Sequence, residues 1–106
     1  MENPIKQINL NQLQYNPNRD PQVYRRTINK PFNLKVLLSG SGSANVSLII
    51  EGNTVATQSI QMPGTFDYSQ SFETAGSRVA MISVDVGDNH WQSHVRLDVL
   101  AKDWIG

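Results

Sequence analysis

The residues with the richest chemistry lie close together, in the stretch Asp85–His94. It combines an aromatic ring with groups that donate and accept hydrogen bonds, and the candidate ligand-binding residues are Asp88, Asn89, His90, Trp91 and Gln92. Such a set suits a sugar, because the apolar face of a sugar ring stacks on an aromatic ring while its hydroxyls contact polar groups. The alternative is that Trp91 closes one end of the core and its polar neighbours cap a turn.

The same stretch does not predict a metal site. His90 and His94 are four residues apart, which on a strand separates them by roughly 13 Å, too far to share one ion. No third ligand is evident. Asp85, Asp88 and Asn89 offer oxygens, but their spacing matches no calcium loop with a defined ligand set. We therefore expect no metal and no cofactor here, and solvated turn residues instead.

Motifs of catalysis are absent from the sequence. It contains no Gly-x-Ser-x-Gly, no phosphate-binding loop, no His-Glu-x-x-His and no dinucleotide fingerprint. Ser, His and Asp all occur, but their spacing does not bring them together. We therefore expect a protein that is not an enzyme.

Two further groups are candidates for partner binding. Arg25 and Arg26 form a basic pair, and Trp104 and Ile105 form an apolar tail at the end of the chain. One basic pair in a chain of zero net charge is weak evidence for nucleic acid, so we expect no nucleic-acid partner. An apolar tail either folds back onto its own domain or docks on a partner. The tail therefore predicts association with a protein partner or with a second copy.

Charge is divided unevenly along the chain. Residues 1–38 contain six basic and two acidic residues, a balance of +4, and residues 39–106 contain three basic and seven acidic residues, a balance of −4. The simpler interpretation is that the two parts interleave in one fold and complement each other. The alternative is head-to-tail self-association, which opposite poles would steer.

The elements that position these residues are predicted to be strands. Apolar and polar residues alternate over 32–38, 46–51, 66–73, 80–86 and 95–99, and the strand over 66–73 is the least regular. Turn signals separate the strands: Gly52-Asn53 suits a type II′ hairpin, and Pro63-Gly64 suits a turn. The flexible loop 40–43 ends the first of these strands. Turns recurring roughly every ten residues indicate a sandwich or a barrel.

Residues 1–31 are less regular and are rich in Asn, Gln and Pro. They predict one or two edge strands, a first near Lys6–Tyr15 and a second over Val23–Asn29, with Pro17 and Pro21 forcing an irregular connection between them. No internal repeat or linker divides the chain. Residues 1–106 are therefore predicted to form a single domain, long enough to bury its own core.

The order of strands and turns resembles a known family. The run Ala44–Thr57, then Pro63-Gly64-Thr65-Phe66, then Ala75-Gly76 and Val79–Val86, resembles bacterial immunoglobulin-like domains, especially adhesion-related and fibronectin-III-like modules. The resemblance covers roughly residues 32–100 and lacks the Cys–Trp–Cys core of antibody domains. It implies a Greek-key sandwich that acts as a spacer, adhesion or interaction module.

Composition sets the remaining bounds. The chain has no cysteine, so neither a disulfide framework nor a thiolate metal site is expected. No stretch has the length of a membrane span and no signal-peptide core is evident, which leaves both a cytoplasmic protein and an exported domain open. We predict an all-β, immunoglobulin-like antiparallel sandwich of seven or eight strands that mediates protein–protein association. A carbohydrate-binding module centred on Trp91 is the alternative.

Overall fold

The structure, a computed structural model, describes residues 3–15 and 25–101. Within these ranges the chain forms strands and no helix, so the predicted all-β class is confirmed. The strands are β1 Ile5–Leu10, β2 Leu13–Gln14, β3 Arg26–Thr27, β4 Phe32–Ile50, β5 Asn53–Gln70, β6 Gly76–Val86 and β7 Asn89–Leu100. The described residues contain no helix that is long and apolar enough to cross a bilayer.

The strands belong to one curled sheet with the order β2-β1-β4-β6-β7-β3, and β5 pairs with the opposite edge of β4. Every pair is antiparallel except β3 with β7, where Arg26 lies beside Val99 and Thr27 beside Leu100. The sheet is therefore mixed: the predicted antiparallel arrangement applies to every described pair except β3 with β7. The physical reason for the parallel pair is that β3 and β7 are far apart in the chain, so no hairpin sets their relative direction.

β4 and β5 each join two segments that the sequence predicted as separate strands. The predicted loop 40–43 lies inside β4, where Gly40 and Gly42 have φ of 127° and 86° and the pairing with β5 shifts register. Phe32 and Ile50, at opposite ends of β4, line the same apolar cavity of about 20 Å³. A straight strand would hold them roughly 60 Å apart. β4 therefore bends back on itself at the glycines.

The predicted Pro63-Gly64 turn is also inside a strand. Both residues belong to β5, opposite the bend of β4, and the Met62–Pro63 peptide bond is cis. β4 and β5 remain paired on both sides of this site, so the two strands bend together. The residues that predicted a turn therefore lie at a bend inside a two-stranded ribbon.

The core lies between the facing halves of the curled sheet. Alternate residues of β4 are buried on both sides of its bend, and Phe66 of β5 is fully buried between them. β6 and β7 add the inward-facing residues Ala80, Ile82, Val84, Val95, Leu97 and Val99. The predicted alternation is thus confirmed, because side chains that face inward every second residue can share one apolar interior.

Two hairpin turns complete the frame. Between β4 and β5, Ile50 pairs with Asn53, and the turn residues Glu51 and Gly52 both have positive φ, 53° and 81°. Positive φ at both positions is typical of a type I′ turn, so the predicted type II′ turn at Gly52-Asn53 was shifted by one residue. Between β6 and β7 the two turn residues are Gly87, with φ of 58°, and Asp88.

The amino-terminal segment forms a small hairpin at the other side of the sheet. The predicted first strand is interrupted at Asn11 and Gln12, both with positive φ, and divides into β1 and β2. The predicted second strand is represented by the two residues of β3, and its first two residues lie outside the described ranges. The immunoglobulin-type sandwich stays a prediction, since the two facing layers belong to one continuous sheet.

Candidate functional site

The five candidate ligand-binding residues follow the β6–β7 turn, and strand geometry divides them between two faces. Asn89 and Trp91 are on the same face of β7 as the buried Val95, whereas His90 and Gln92 point to the opposite face. Trp91 is half-buried, and Asp88 and the other polar residues are exposed. The structure therefore brings Trp91 together with Asn89 and separates it from His90 and Gln92.

His90 has its own partner on the outer face. Its Nδ1 lies 2.5 Å from Oδ1 of Asp85, which is the residue opposite it on β6. His94 is four residues further along β7, opposite Met81. Across residues 3–15 and 25–101 no three histidine or acidic side chains are grouped so that they would hold a metal ion.

Arg25, predicted for partner binding, contacts its own domain. Its Nε lies 3.7 Å from Oδ2 of Asp98, while Arg96 Nε donates to Asp98 Oδ1 at 2.8 Å and the Ser77 hydroxyl donates to the same oxygen at 2.5 Å. Arg26 donates from its guanidinium to the Arg25 carbonyl. Of these contacts, the Arg25–Asp98 ion pair is the one that holds the residue before β3 against β7.

Burial is the largest influence on Asp98 and acts to raise the pKa of its carboxyl group, which is only 8 % exposed. The hydrogen bonds from Ser77 and Arg96, with the positive charges of Arg96 and Arg25, together outweigh burial and hold this pKa below its usual value. The sequence analysis missed this cluster. Its local signal was the pair Arg96 and Asp98, two residues apart on the same face of a strand.

The apolar tail, Trp104 and Ile105, lies outside the described residues. The prediction that it binds a partner is unaffected by the fold.

A surface pocket of about 450 Å³ lies where the amino-terminal hairpin approaches β7. Ile8 and Tyr15 line it from one side, and Ser93, His94, Val95, Arg96 and Val79 line it from the other. The backbone amide of Arg96 donates to the Tyr15 hydroxyl at 3.2 Å. Tyr15 therefore caps part of the β7 edge at this point.

β5 is the longest edge strand among the strands that the structure describes. Among residues 3–15 and 25–101 it pairs with β4 alone, along both halves of its length. Thr57, Gln58, Ser59 and Gln61 are exposed. Sequence analysis predicted strands here without showing which of them would lie at an edge, because the strand order depends on pairings between distant segments.

The direction of the β5 backbone groups follows from bonds on the other side of β4. The Asn33 carbonyl accepts a hydrogen bond from the Asn11 amide at the β1 side, so the next residue, Leu34, turns its backbone groups toward β5 and its partner Tyr68. Between the pairs Leu38–Gly64 and Gly42–Met62 the chain advances four residues on β4 and two on β5. Both numbers are even, so even-numbered residues of both strands still face each other after the register shift. In the parts of β5 that pair with β4 without a register shift, the even-numbered residues therefore direct their backbone hydrogen bonds to β4.

The odd-numbered residues of regular β5 direct their amides and carbonyls away from the sheet. In the first half of the strand these residues are Thr57, Ser59 and Gln61. The Arg96 amide, which donates to the Tyr15 hydroxyl, points away from β6, so the odd-numbered residues of β7 bond to β6. Followed from β6 to β4 and from β4 to β5, this alternation again directs the odd-numbered residues of β5 outward. β5 thus presents three residues with outward donors and acceptors over a short regular stretch.

Charged residues and prolines, which hinder pairing at a sheet edge, are distributed unequally along β5. Residues 53–62 contain no charged residue and no proline, whereas the second half contains Asp67 and begins beside Pro63. Charges and prolines are the devices that keep an edge from pairing with another strand. The first half is therefore the part of β5 that is able to receive one.

These features define an all-β fold in which the first half of β5 is an uncharged edge that, among the described residues, pairs on one side only. No protein-family model and no curated protein matches the chain. Among solved structures, a crystal structure of an engineered protein is similar with a TM-score of 0.41 and 12% sequence identity, over 72% of this chain and 18% of that one. This chain thus spans about a fifth of that protein, and a likeness of this degree supports no argument about function.

Proposed function

We propose that this protein is a non-catalytic module for protein–protein association and that β5 receives the partner by strand addition. The observation that supports the proposal is the backbone edge of the first half of β5. Among the described residues it pairs on one side only, and it contains no charged residue. Main-chain hydrogen bonds supply affinity when an extended segment joins a sheet edge, and alternate side chains supply selectivity. The edge thus suits an extended protein segment.

The chemistry of the other candidate residues agrees with an association module. His90 is paired with Asp85, and Asp98 is bonded to Ser77 and Arg96, so these groups serve contacts within the domain.

Binding of the labelled protein to an array of eight-residue synthetic peptides tests this function. We expect binding to extended, β-branched peptides and weaker binding to proline-rich ones. Ser59→Pro removes one outward amide and should reduce binding at least about tenfold, whereas Ser59→Ala keeps that amide and should bind like the wild type. An array with no bound peptides from a chain that also sediments as a monomer, or equal binding by both variants, would contradict strand addition at β5.

Carbohydrate binding around Trp91 is the second candidate function. It is supported by the partial exposure of the Trp91 ring and by Asn89 on the same face. A glycan array tests it: binding that Trp91→Ala abolishes and His90→Ala preserves would support this site. Loss through His90→Ala instead would place a ligand on the other face.

The finer fold proposal is an open form of the immunoglobulin-like sandwich. Its support is that the two halves of β4 face a shared core, so that their pairing strands lie in two layers. A crystal structure with β4 divided between two separate sheets would support the sandwich, and one with a single continuous sheet through β4 would contradict it.

A further inference from the structure

We propose that the partner of β5 is a second copy of the same chain, paired antiparallel about a two-fold axis that passes beside Ser59. This inference rests on the proposed function of β5 as the association edge and names its occupant. Symmetric pairing of identical edges closes a dimer, because each copy offers the surface that the other needs.

The regular part of β5 has its own centre. On one side Val55 has no partner on β4, since Ala56 pairs with Leu48 and Thr54 pairs with Ile49. On the other side Pro63 lacks an amide hydrogen. Val55 and Pro63 are each four residues from Ser59, so the regular stretch between them, residues 56–62, is centred on that residue.

This centre determines the register of the dimer. With Ser59 opposite Ser59 of the second copy, Thr57 lies opposite Gln61 and Gln61 opposite Thr57. These are the residues that direct amides and carbonyls outward, and each directly opposed pair exchanges two hydrogen bonds. Three pairs with two bonds each would join the copies through six main-chain hydrogen bonds, with no outward group of the regular stretch left unpaired.

The side chains of this register are compatible with pairing to themselves. On the inner face Ala56 lies opposite Met62, and Gln58 lies opposite Ile60. Ala56 and Ile60 are half-buried and pack against the core, so a second strand would cover their remaining apolar surface. No charge falls within the stretch, whereas the second half of β5 would bring the Asp67 carboxylates of two copies toward each other.

The other edges of the described sheet offer less room. β2 and β3 contain two residues each, and β7 is met by β3 at one end and by the Tyr15 hydroxyl at Arg96. On the part of the chain that the structure describes, β7 also has an outer edge without a strand partner from Asn89 to Val95. β5 is the longer edge strand, and residues 53–62 contain no charged residue and no histidine, which selects β5 as the dimer edge.

Disulfide trapping tests the register directly, because the chain has no cysteine of its own. Cα atoms of an opposed pair lie about 5.5 Å apart, within reach of a disulfide. We expect Ser59→Cys to form a cross-linked dimer under mild oxidation at least about tenfold faster than Thr57→Cys, whose copies are offset by four residues. The double variant Thr57→Cys/Gln61→Cys should cross-link as readily as Ser59→Cys. Equal rates for the two single variants would overturn the register.

Sedimentation velocity of the full chain over a range of concentrations tests the dimer itself. The wild type and Ser59→Ala should show a monomer–dimer equilibrium with dissociation constants within about twofold of each other, and Ser59→Pro should weaken it at least about tenfold. Thermal unfolding of each variant verifies folding. A monomer at every concentration, or a dimer that Ser59→Pro leaves intact, would overturn the inference. If edge-dependent peptide binding persists in a monomeric chain, the proposed association function stands and only the identity of the partner fails.

Discussion

Arg25 and Asp98 form an ion pair, 3.7 Å from Nε to Oδ2, that fastens the residue before β3 onto β7. The contact joins segments that are 73 positions apart in the chain and supports the parallel pairing of β3 with β7. Asp98 is nearly buried and also accepts hydrogen bonds from Ser77 and Arg96. Its charge is therefore part of what holds β3 in place.

Acid should weaken the fold through Asp98. Because the pKa of Asp98 is lowered from its ordinary 3.8, this group stabilises the fold above that value and loses its contribution as the pH falls through the folded-state pKa. Chemical denaturation between about pH 6 and pH 2 should show the free energy of unfolding decreasing below about pH 4. Asp98→Asn should lower stability at neutral pH by about 1–3 kcal/mol and flatten this dependence. An unchanged pH slope in that variant would assign the effect to other carboxylates.

Arg78 is expected to stabilise the end of the core. Its guanidinium lies 4.4 Å from the centre of the Phe72 ring, and it donates to Thr74 Oγ1 at 2.7 Å and contacts Glu51 at 3.3 Å. Arg78→Ala removes the cation–π contact and the bonds together, and thermal unfolding should show a loss of about 1–2 kcal/mol. Arg78→Lys retains the charge without the planar guanidinium, and its stability should lie between those of the wild type and Arg78→Ala. Equal stability of all three proteins would refute the contribution.

Two glycines should respond to alanine for different reasons. Gly52 has a φ of 81° with open space around an added Cβ, so Gly52→Ala should cost about 1–2 kcal/mol through backbone strain. At Gly64 an added Cβ would lie 2.6 Å from the Gln61 carbonyl oxygen, so Gly64→Ala should cost more, through a backbone clash. Gly52→Asn should cost less than Gly52→Ala, since Asn tolerates positive φ. Denaturant titration of the three variants measures the order, and a reversed order would contradict this explanation.

Association through β5 should be nearly independent of salt. Residues 53–62 have no charge, so we expect the dissociation constant to change less than about threefold between about 0.05 M and 1 M sodium chloride. Self-association through the basic 1–38 and acidic 39–106 parts of the chain would weaken strongly over the same range. Sedimentation at several salt concentrations separates the two, and a steep salt dependence would favour the charged poles.

Truncation after Lys102 tests the tail as a competing interface. If β5 joins the two copies, removal of Trp104 and Ile105 with their neighbours should leave the dissociation constant within about twofold of the wild-type value. Sedimentation of the truncated chain beside Ser59→Pro provides the comparison. Loss of association in the truncated chain alone would transfer the interface from β5 to the tail.

Local periodicity predicted the buried faces of the strands well. Leu34, Val46, Val95 and Leu97 alternate with polar residues in the sequence, and all four are buried. The candidate site was harder to predict. Asp88–Gln92 looked like one polar group around Trp91, but once Asn89 begins a strand the same period of two sends His90 and Gln92 to the other face.

The sequence by itself determined the all-β class and the residues that face the core, because both depend on a period of two along one segment of chain. Only the tertiary structure decided that β4 bends instead of ending at Gly40 and Gly42, that β3 runs parallel to β7, and that β5 lies at an edge. Each of these depends on pairing between segments far apart in the chain, which local propensities and turn residues do not specify. The proposed function rests on the last of them, since whether a strand can receive a partner depends on which neighbours it already has.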